Sequence, residues 1–430
     1  MDLTAVAEAR LREARFAQLL LAPEHLPPHY QGWGLLNLPP TVFRWLGVEN
    51  PLPHRPLAPD ILQALPERFR KVILVLIDGF GMEMVRRACQ QGLLSGWQRL
   101  AFCGVFTPLT SITPSTTSAA LTTLWTGRSP TEHGIVGYEV WLKEYGMVAN
   151  MIYHAPISFT RDVGSLEKAG FRPERFLPHP TLGQLFRPRG VKVYALQPYQ
   201  ILGSGLSRML LPEVETAGFT TPADLWITLR LLLEERPEER AYIWVYWSPV
   251  DTLAHRHSPD DPRVLAEAQT FLAAMQAYLL RTLSPQAREG TLLLLTADHG
   301  QIATPRHPHY ELSHHPRLME HLHLLPTGEN RLMFLYPRPG HTRAVREYFV
   351  ETWPDDFALC RTEEVLRSGL LGPGEPHPAL RDRTGDWVAL ARNHAYLWWA
   401  AKENHLLGRH GGLSSEEMLI PLLAVPLAVC

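Results

Sequence analysis

The sequence predicts an α/β fold with three layers, in which helices cover both faces of a mostly parallel central sheet. Continuous apolar runs predict strands that are buried on both faces, as in parallel sheets. These runs are Val72–Ile77, Val193–Leu196, Tyr242–Trp247 and Leu292–Thr296. Helical patterns separate the strands, and this alternation is typical of α/β proteins. The predicted helices are Glu83–Gln91, Pro222–Glu235 and Asp261–Leu283.

The other segments predict how the chain is divided. Residues 1–24 have the pattern of a charged amphipathic helix, and the proline-rich residues 25–68 predict an extended arm wrapped on the core. Four parts result: an N-terminal helix and arm, most of the α/β domain, an inserted α+β subdomain, and the end of the α/β domain. Their predicted ranges are 1–68, 69–330, 331–400 and 401–430.

The inserted subdomain has a pattern of strand, helix, strand, helix and loop, followed by two short strands. The elements before the loop are Leu332–Tyr336, Thr342–Thr352, Phe357–Arg361 and Glu363–Ser368. Because strands and helices are mixed over a short range, we expect a small α+β unit ahead of the last part of the chain.

Composition excludes several classes of protein. Hydrophobic residues make up 45% of the 430 residues and charged residues 20%, which is typical of a soluble protein with a substantial core. The net charge of -2 provides no basic field for a nucleic acid polymer or an anionic membrane. The four cysteines are scattered, which favours a reducing compartment. With no signal peptide pattern and no apolar run of roughly 18 residues, we predict a cytoplasmic protein without a membrane partner.

Acidic and histidine residues follow three of the predicted strands or their turns. Asp78 ends the first strand before Gly79, which suits metal coordination, although a helix cap is the alternative. Asp251 and His255 are spaced i, i+4, so one helical turn places both on one face, where they can bind one ion. The alternative is a solvated helix start with an incidental histidine. Asp298-His299-Gly closes the fourth strand and is the sharpest single motif.

Two further clusters carry hydroxyl and imidazole groups. The stretch Thr113-Pro-Ser-Thr-Thr117 precedes a helical pattern and predicts a helix N-terminus, where free N–H groups favour a phosphoryl oxyanion. Plain helix caps are the alternative. His410-Gly-Gly offers an imidazole beside flexible glycines, with His405 as a surface competitor. The remaining crowded histidines predict a solvent-exposed loop, with a weak metal or substrate contact as the alternative; they are His307, His309, His314 and His315.

In this order, the motifs resemble the alkaline phosphatase superfamily, and most closely its type I phosphodiesterase/nucleotide pyrophosphatase branch. The resemblance rests on the five clusters together with Thr126-Gly127 and covers roughly residues 70–300 and 405–425. It implies an alkaline phosphatase-like αβα fold and two divalent metal ions, with zinc as the first candidate and manganese as the second. It also implies a small-molecule phosphoester substrate. The oligomeric state is left open.

The resemblance assigns roles residue by residue. It implies that Asp251, His255 and His410 hold one metal ion. It implies that Asp78, Asp298 and His299 hold the other, together with the oxygen of the nucleophile. Counting back from Thr126-Gly127 makes Thr117 that nucleophile, with Thr116 as the fallback.

The resemblance also places substrate contacts at Ser118 and Tyr138. The family's asparagine, which contacts a phosphoryl oxygen, counts onto Tyr138, and this departure puts nucleotide selectivity in doubt. A tyrosine hydroxyl can still donate a hydrogen bond.

The expected function is that of a phosphodiesterase or nucleotide pyrophosphatase. The alternatives are a phosphomonoesterase, mutase or phosphonate hydrolase of the same superfamily, or a metal-stabilised binding protein without turnover. The Pro-Ser-Thr-Thr form also resembles phosphonoacetate hydrolases. A monoesterase needs a cationic clamp for the extra phosphoryl charge, for which Arg128 and Arg256 are the candidates. Sulfatases are disfavoured, because Thr113-Pro-Ser-Thr-Thr117 lacks their nucleophile motif.

Overall fold

The computed structural model describes residues 1–13, 16, 19, 21–159 and 162–430. The strands in this part of the chain are β1 Lys71–Ile77, β2 Val105–Thr110, β3 Glu139–Leu142, β4 Met147–Asn150, β5 Ala155–Pro156, β6 Lys192–Pro198, β7 Glu215–Phe219, β8 Ala241–Trp247, β9 Thr291–Thr296, β10 Ile302–Ala303, β11 Leu322–Glu329, β12 Leu332–Pro337, β13 Phe357–Arg361, β14 Trp387–Ala391, β15 Gly408–Arg409 and β16 Leu419–Pro426.

The helices in the same residues are α1 Thr4–Glu13, α2 Leu38–Trp45, α3 Pro59–Leu62, α4 Met82–Gln90, α5 Ser95–Cys103, α6 Thr117–Thr126, α7 Pro130–His133, α8 Pro173–Phe176, α9 Leu182–Phe186, α10 Gly205–Leu210, α11 Pro222–Glu235, α12 Pro249–His257, α13 Pro262–Met275, α14 Pro285–Arg288, α15 Pro316–His321, α16 Thr342–Thr352, α17 Thr362–Ser368, α18 Leu380–Arg383 and α19 Ser415–Met418.

The central sheet has the strand order β2-β16-β9-β1-β8-β6-β7. Strand β1 pairs parallel with β8 and β9, and β6 pairs parallel with β7 and β8. Strand β16 runs antiparallel to both of its neighbours. All residues of β1, β8 and β9 are buried, as their continuous apolar sequences predict. The four predicted strands and the mostly parallel sheet are therefore confirmed.

Register in this sheet places three chain segments at one edge. Ile77 pairs with Trp247, and Leu76 pairs with Thr296, so β1, β8 and β9 end side by side. The residues that follow these strands therefore emerge together. At this edge, open α/β sheets place their ligands.

Helix boundaries follow the predictions closely in the α/β domain. Helix α11 has the predicted bounds, and α4 differs by one residue at each end. Helix α13 ends earlier than predicted, at Met275, and a π-helical turn over Gln276–Leu280 continues it.

The N-terminal predictions are only partly met. Helix α1 ends at Glu13, and residues 14, 15, 17, 18 and 20 of the predicted helix lie outside the described residues. Residues 21–24 are not helical. The predicted extended arm contains α2 and α3, because Leu38–Trp45 has apolar side chains at helical spacing and buries them in the core.

The second sheet has the order β13-β14-β12-β11-β3-β4-β5, so residues 139–156 join strands from residues 322–391. The predicted strands at Leu332–Tyr336 and Phe357–Arg361 and the helix Thr342–Thr352 are confirmed. A single strand, β14, stands where two short strands were predicted. This sheet brings Glu329 and Glu139 toward the edge of the central sheet.

The histidine-rich loop is only partly exposed to solvent. His307 and His314 are exposed, as predicted, but His315 is buried. Its ring contacts the hydroxyl of Tyr348 at 2.8 Å and packs 4.5 Å from the ring of Trp353. The prediction was wrong for His315, because packing against aromatic side chains of the second sheet's helix cannot be read from local sequence.

No helix in the described residues is long and apolar enough to cross a membrane. The four cysteines form no disulfide bond.

Candidate active site

Three aspartates meet at the edge of the central sheet where β1, β8 and β9 end. Asp78 follows β1 directly, Asp298 follows β9, and Asp251 lies in the first turn of α12 after β8. A turn at Gly79, with φ of +70°, brings the backbone close to Asp251. A Cβ at this position would lie 3.0 Å from the Asp251 side chain, so glycine allows this close approach.

Asp78, Asp298 and His299 form a group that we call the deep group. His299 Nε2 lies 3.6 Å from Asp78 Oδ1 and 3.4 Å from Asp298 Oδ2. The ligand atoms of the three residues all lie within 4.8 Å of one another. Their side chains are at most 3% exposed, so the group is shielded from solvent.

The deep group fits a cation. Asp78 Oδ1 and Asp298 Oδ2 are both buried without a hydrogen-bond partner. The pKa of Asp78 is raised well above its ordinary value, mainly by burial and next by the neighbouring carboxylate of Asp298. Burial likewise raises the pKa of Asp298. Unpartnered buried carboxylate oxygens are costly unless a cation compensates them, and oxygen with imidazole nitrogen is a donor set that zinc accepts.

Asp251, His255 and His410 are the second predicted set of ligands, which we call the outer group. In the described residues, the ligand atoms of Asp251 and His410 lie within 4.8 Å of each other and of His299, whereas His255 joins this set through Asp251. His255 Nε2 lies 3.4 Å and His410 Nε2 3.9 Å from Asp251 Oδ1. The i, i+4 spacing places Asp251 and His255 on one face of α12, as predicted. The ring of His410 stacks on that of His299 at 3.8 Å, so the two groups are adjacent.

The three imidazoles have one arrangement in common. The Nδ1 atom of each ring contacts a backbone carbonyl: that of Gly300 for His299, Gly408 for His255 and Ser115 for His410. A carbonyl only accepts, so Nδ1 carries the proton and Nε2 is left as a ligand. Such contacts fix the ring orientation of metal-binding histidines.

Two neutral donors hold the aspartates, and neither could be predicted from the sequence. The Tyr246 hydroxyl donates to Asp78 Oδ2. The Gln301 amide donates to Asp251 Oδ1 and, at 3.1 Å, to the Asp251 backbone carbonyl. In each case the donor constrains the carboxylate. Only tertiary structure reveals them, because tyrosine in a buried strand and glutamine after a turn are common.

Thr117 is the first residue of α6, as the hydroxyl-rich motif predicts for a helix N-terminus. Its Oγ1 lies 3.1 Å from Nε2 of His299, whose ring stacks on that of His410 in the outer group. The hydroxyl of Thr116 is directed elsewhere and donates to Glu329 Oε1 at 2.5 Å. Of the two threonines, Thr117 is therefore the one that faces the candidate cation ligands.

The outer group opens into a cleft of about 470 Å³, which is lined by Asp251, His255 and His410. Its lining also includes Thr117, Trp398 and Trp399. Two further acids that sequence reasoning missed, Glu139 and Glu329, also line it. Burial raises the pKa of Glu329 to about 8 and that of Glu139 to about 7.

Of the other residues predicted to contact the substrate or a metal, some line the cleft and others do not. Tyr138 lines the cleft, but the Ser118 hydroxyl donates to the Gly137 carbonyl at 2.8 Å, which leaves only its N–H for a substrate. Arg128 pairs with Glu132 at 3.0 Å, whereas Arg256 lines the cleft. His405 also lines the cleft but is largely exposed and stands 3.6 Å from Glu403. The structure therefore does not bring Arg128 or the Ser118 hydroxyl to the site.

Comparison with solved structures supports the fold. Murine ectonucleotide pyrophosphatase/phosphodiesterase 5 superposes with a TM-score of 0.61 at 18% identity, covering 83% of this chain and 88% of that one. An inactive variant of the same murine protein, in complex with AMP, gives a TM-score of 0.60. Phosphonoacetate hydrolase from Sinorhizobium meliloti 1021, in complex with phosphonoformate, gives 0.60 at 19% identity, with coverage of 83% and 90%.

A match to a family profile shows which family the chain belongs to. The profile of the type I phosphodiesterase/nucleotide pyrophosphatase family matches residues 72–413, which span the central sheet, both ligand groups and the second sheet. The resemblance inferred from the motifs is confirmed, as is the alkaline phosphatase-like fold. The chain belongs to the type I phosphodiesterase/nucleotide pyrophosphatase family and is a phosphoric ester hydrolase of the alkaline phosphatase superfamily.

Proposed function

We propose that this hydrolase cleaves small-molecule phosphodiesters with Thr117 as the nucleophile and two bound divalent cations, zinc being the first candidate. One observation carries the proposal. The Thr117 hydroxyl stands at the N-terminus of α6, 3.1 Å from His299 Nε2, where the deep and outer groups meet. A nucleophile in that position can be activated without a separate general base.

The residues divide into two sets of cation ligands. Asp78, Asp298 and His299 would hold one cation together with the Thr117 oxygen. Asp251, His255 and His410 would hold the other. When bound, such cations lower the pKa of a coordinated hydroxyl and neutralise the charge that develops on phosphoryl oxygens. Each imidazole holds its proton on Nδ1 and leaves Nε2 free to bind a cation.

The chemical step is displacement at phosphorus. The Thr117 oxygen forms a bond to phosphorus, and the bond to the leaving-group oxygen breaks, which yields a phosphothreonine intermediate. Water then attacks the same phosphorus and releases the threonine hydroxyl. The N-terminal N–H groups of α6 lie beside Thr117 and favour the negative phosphoryl oxygens throughout.

Charge in the cleft favours a diester over a monoester. A monoester carries an additional negative charge, for which an arginine clamp is the usual partner. Arg128 is committed to Glu132, which leaves Arg256 as the one predicted clamp residue in the cleft, and none of its hydrogen bonds or ion pairs in the described residues joins it to the Thr116–Thr117 turn. A diester needs no such clamp.

A phosphonate hydrolase is the second candidate. The Pro-Ser-Thr-Thr form at the nucleophile motif favours it, and so does the likeness in fold to phosphonoacetate hydrolase. Arg256 and Lys402 in the cleft could bind the carboxylate of such a substrate.

The test compares three substrates with zinc-reconstituted protein: bis-p-nitrophenyl phosphate, p-nitrophenyl phosphate and phosphonoacetate. We expect the diester to be preferred by at least about tenfold in kcat/KM. The Thr117→Ala variant should lose most turnover, about a thousandfold or more, because the nucleophile is removed. The buried Thr122→Ala variant on the same helix serves as the control.

Each other outcome has a defined meaning. Preference for the monoester or the phosphonate would replace the diester assignment. Full activity in Thr117→Ala with loss in Thr116→Ala would transfer the nucleophile to Thr116. Chelator-insensitive hydrolysis would contradict the role of the cations.

A further inference from the structure

The helix that begins with Thr117 lacks the hydrogen bond that normally completes a helix N-terminus. Thr116 is its N-cap residue and has extended backbone angles (φ -141°, ψ 146°), yet its side chain makes no capping bond. Helix α11 offers a matched comparison, because its N-cap is also a threonine. Thr221 has nearly the same angles (φ -133°, ψ 161°) and accepts a hydrogen bond from the N–H of Asp224.

Glu329 accounts for the difference. The Thr116 hydroxyl donates to Glu329 Oε1, which also accepts the N–H of Tyr138 at 2.8 Å. Glu329 is 8% exposed and packs closely against Gly411. If Gly411 carried a Cβ atom, that atom would lie 2.4 Å from the Cβ of Glu329. One carboxyl group from the second sheet thus joins the nucleophile turn, Tyr138 and the segment that carries His410.

Because Thr116 does not cap α6, the first backbone N–H groups of this helix are left without acceptors. In the described residues, no backbone or side-chain acceptor receives the N–H groups of Thr117, Ser118 and Ala119. In α11, by contrast, the threonine oxygen occupies the corresponding N–H. Unpaired N–H groups at a helix start attract anions, and those of α6 lie beside the Thr117 hydroxyl.

We propose that Glu329 is a positioning residue, which holds the Thr116 hydroxyl away from the start of α6 and so keeps these N–H groups open for the phosphoryl oxygens of the substrate. The proposal rests on the proposed function, in which Thr117 attacks phosphorus. Its mechanism is competition, since the Thr116 oxygen and a phosphoryl oxygen are acceptors for the same donors.

The direct test needs neither metal nor turnover. Hydrogen exchange of the metal-free, full-length protein is followed by mass spectrometry on peptides that cover residues 115–121. In Glu329→Ala, Thr116 is released and caps the helix, so one amide should exchange about fivefold more slowly, as expected for an N-cap hydrogen bond. In the double variant Glu329→Ala/Thr116→Ala, the slowed exchange should no longer be seen, because Thr116 has lost the oxygen that caps the helix. Glu329→Gln keeps an acceptor for Thr116 and should exchange as the wild type does.

Helix α11 shows how large an exchange effect one threonine cap produces. Thr221→Ala removes an existing cap and should speed exchange at the start of α11 by a similar factor. If this change is seen while Glu329→Ala leaves residues 115–121 unchanged or faster, the proposal is overturned.

A second readout links the exchange result to the substrate. Competitive inhibition of the zinc-reconstituted protein by inorganic phosphate should weaken about tenfold or more in Glu329→Ala and recover substantially when Thr116→Ala is added. A side chain that only filled space would give no such rescue, and an equal loss in the double variant would overturn the proposal. Failure of the proposed function is distinguishable, because it would appear as full activity in Thr117→Ala, whereas the exchange of the metal-free protein does not depend on turnover.

Discussion

The deep and outer groups use similar ligands but are built in different ways. In the deep group, the side chains of Asp78, Asp298 and His299 are 3%, 0% and 0% exposed. In the outer group, those of Asp251, His255 and His410 are 15%, 24% and 9% exposed. The deep carboxylates follow strands of the central sheet, whereas the outer group combines a helix with a loop after β15. Buried oxygens without a partner occur in the deep carboxylates.

The difference in burial predicts different roles for the two cations. Water can solvate the outer ligands when no cation is bound, so an empty outer group costs little. The deep group keeps two unpartnered carboxylate oxygens in a dry environment, so its cation should contribute most to stability. We therefore expect the deep group to act as a structural as well as a chemical centre, and the outer group to exchange its cation readily.

Removal of the cations should give the largest effect. A ligand at a thousandfold excess over its Kd stabilises the folded state by about 4 kcal/mol, so zinc should raise the Tm of chelator-treated protein by about 5 to 10 °C. Asp298→Asn should abolish most of this rise, and Asp251→Asn should abolish the smaller part. Differential scanning calorimetry with and without zinc measures both, and equal losses would contradict the distinction between the groups.

The same pair of variants should behave differently without metal. Asp298→Asn removes a buried charge while keeping Oδ1, which accepts the N–H groups of Gly79 and His299. The unfolding free energy of the metal-free protein should therefore rise by about 1 to 3 kcal/mol. Asp251→Asn should change it by less than about 0.5 kcal/mol. Urea unfolding measures these values, with Asp260→Asn, an exposed aspartate, as the control.

Much of this site could be predicted from the sequence, for a physical reason. Parallel strands end at one edge, so residues such as Asp78 and Asp298 that follow apolar runs must meet there. The spacing of Asp251 and His255 likewise fixes their shared helix face. Local pattern carries this information because the strand and helix periods are local properties.

The residues that support the site could not be predicted in the same way. Glu329 reaches Thr116 across 213 positions of sequence, and no local spacing links the two residues. Its strand belongs to the second sheet, which also recruits residues 139–156, and strand pairing at long range is not encoded in periodicity. The burial of His315 has the same origin, since its partners Tyr348 and Trp353 lie on or next to another element.

Tyr246→Phe should weaken metal binding at the deep group alone. The change removes only the hydroxyl that donates to Asp78 Oδ2, and loss of such outer-shell partners weakens metal binding about 10- to 100-fold. Isothermal titration with zinc should show this loss in one of two binding events and leave the other unchanged. Tyr242→Phe, a buried tyrosine of the same strand, is the control. Weakening of both events would mean that the deep and outer groups are not separable.

Gln301→Leu is the corresponding change at the outer group and should have the smallest effect. The Gln301 amide fixes Asp251 through both its carboxylate and its backbone carbonyl, so its loss frees a side chain that solvent already reaches. We expect about tenfold weaker zinc binding in the event that Tyr246→Phe leaves unchanged. Gln197→Leu removes an equally buried glutamine that bonds Ser207 in another part of the fold and should leave both events intact. If Gln301→Leu instead weakened the event that Tyr246→Phe weakens, Asp251 would belong to the deep group, and the division of ligands by burial would fail.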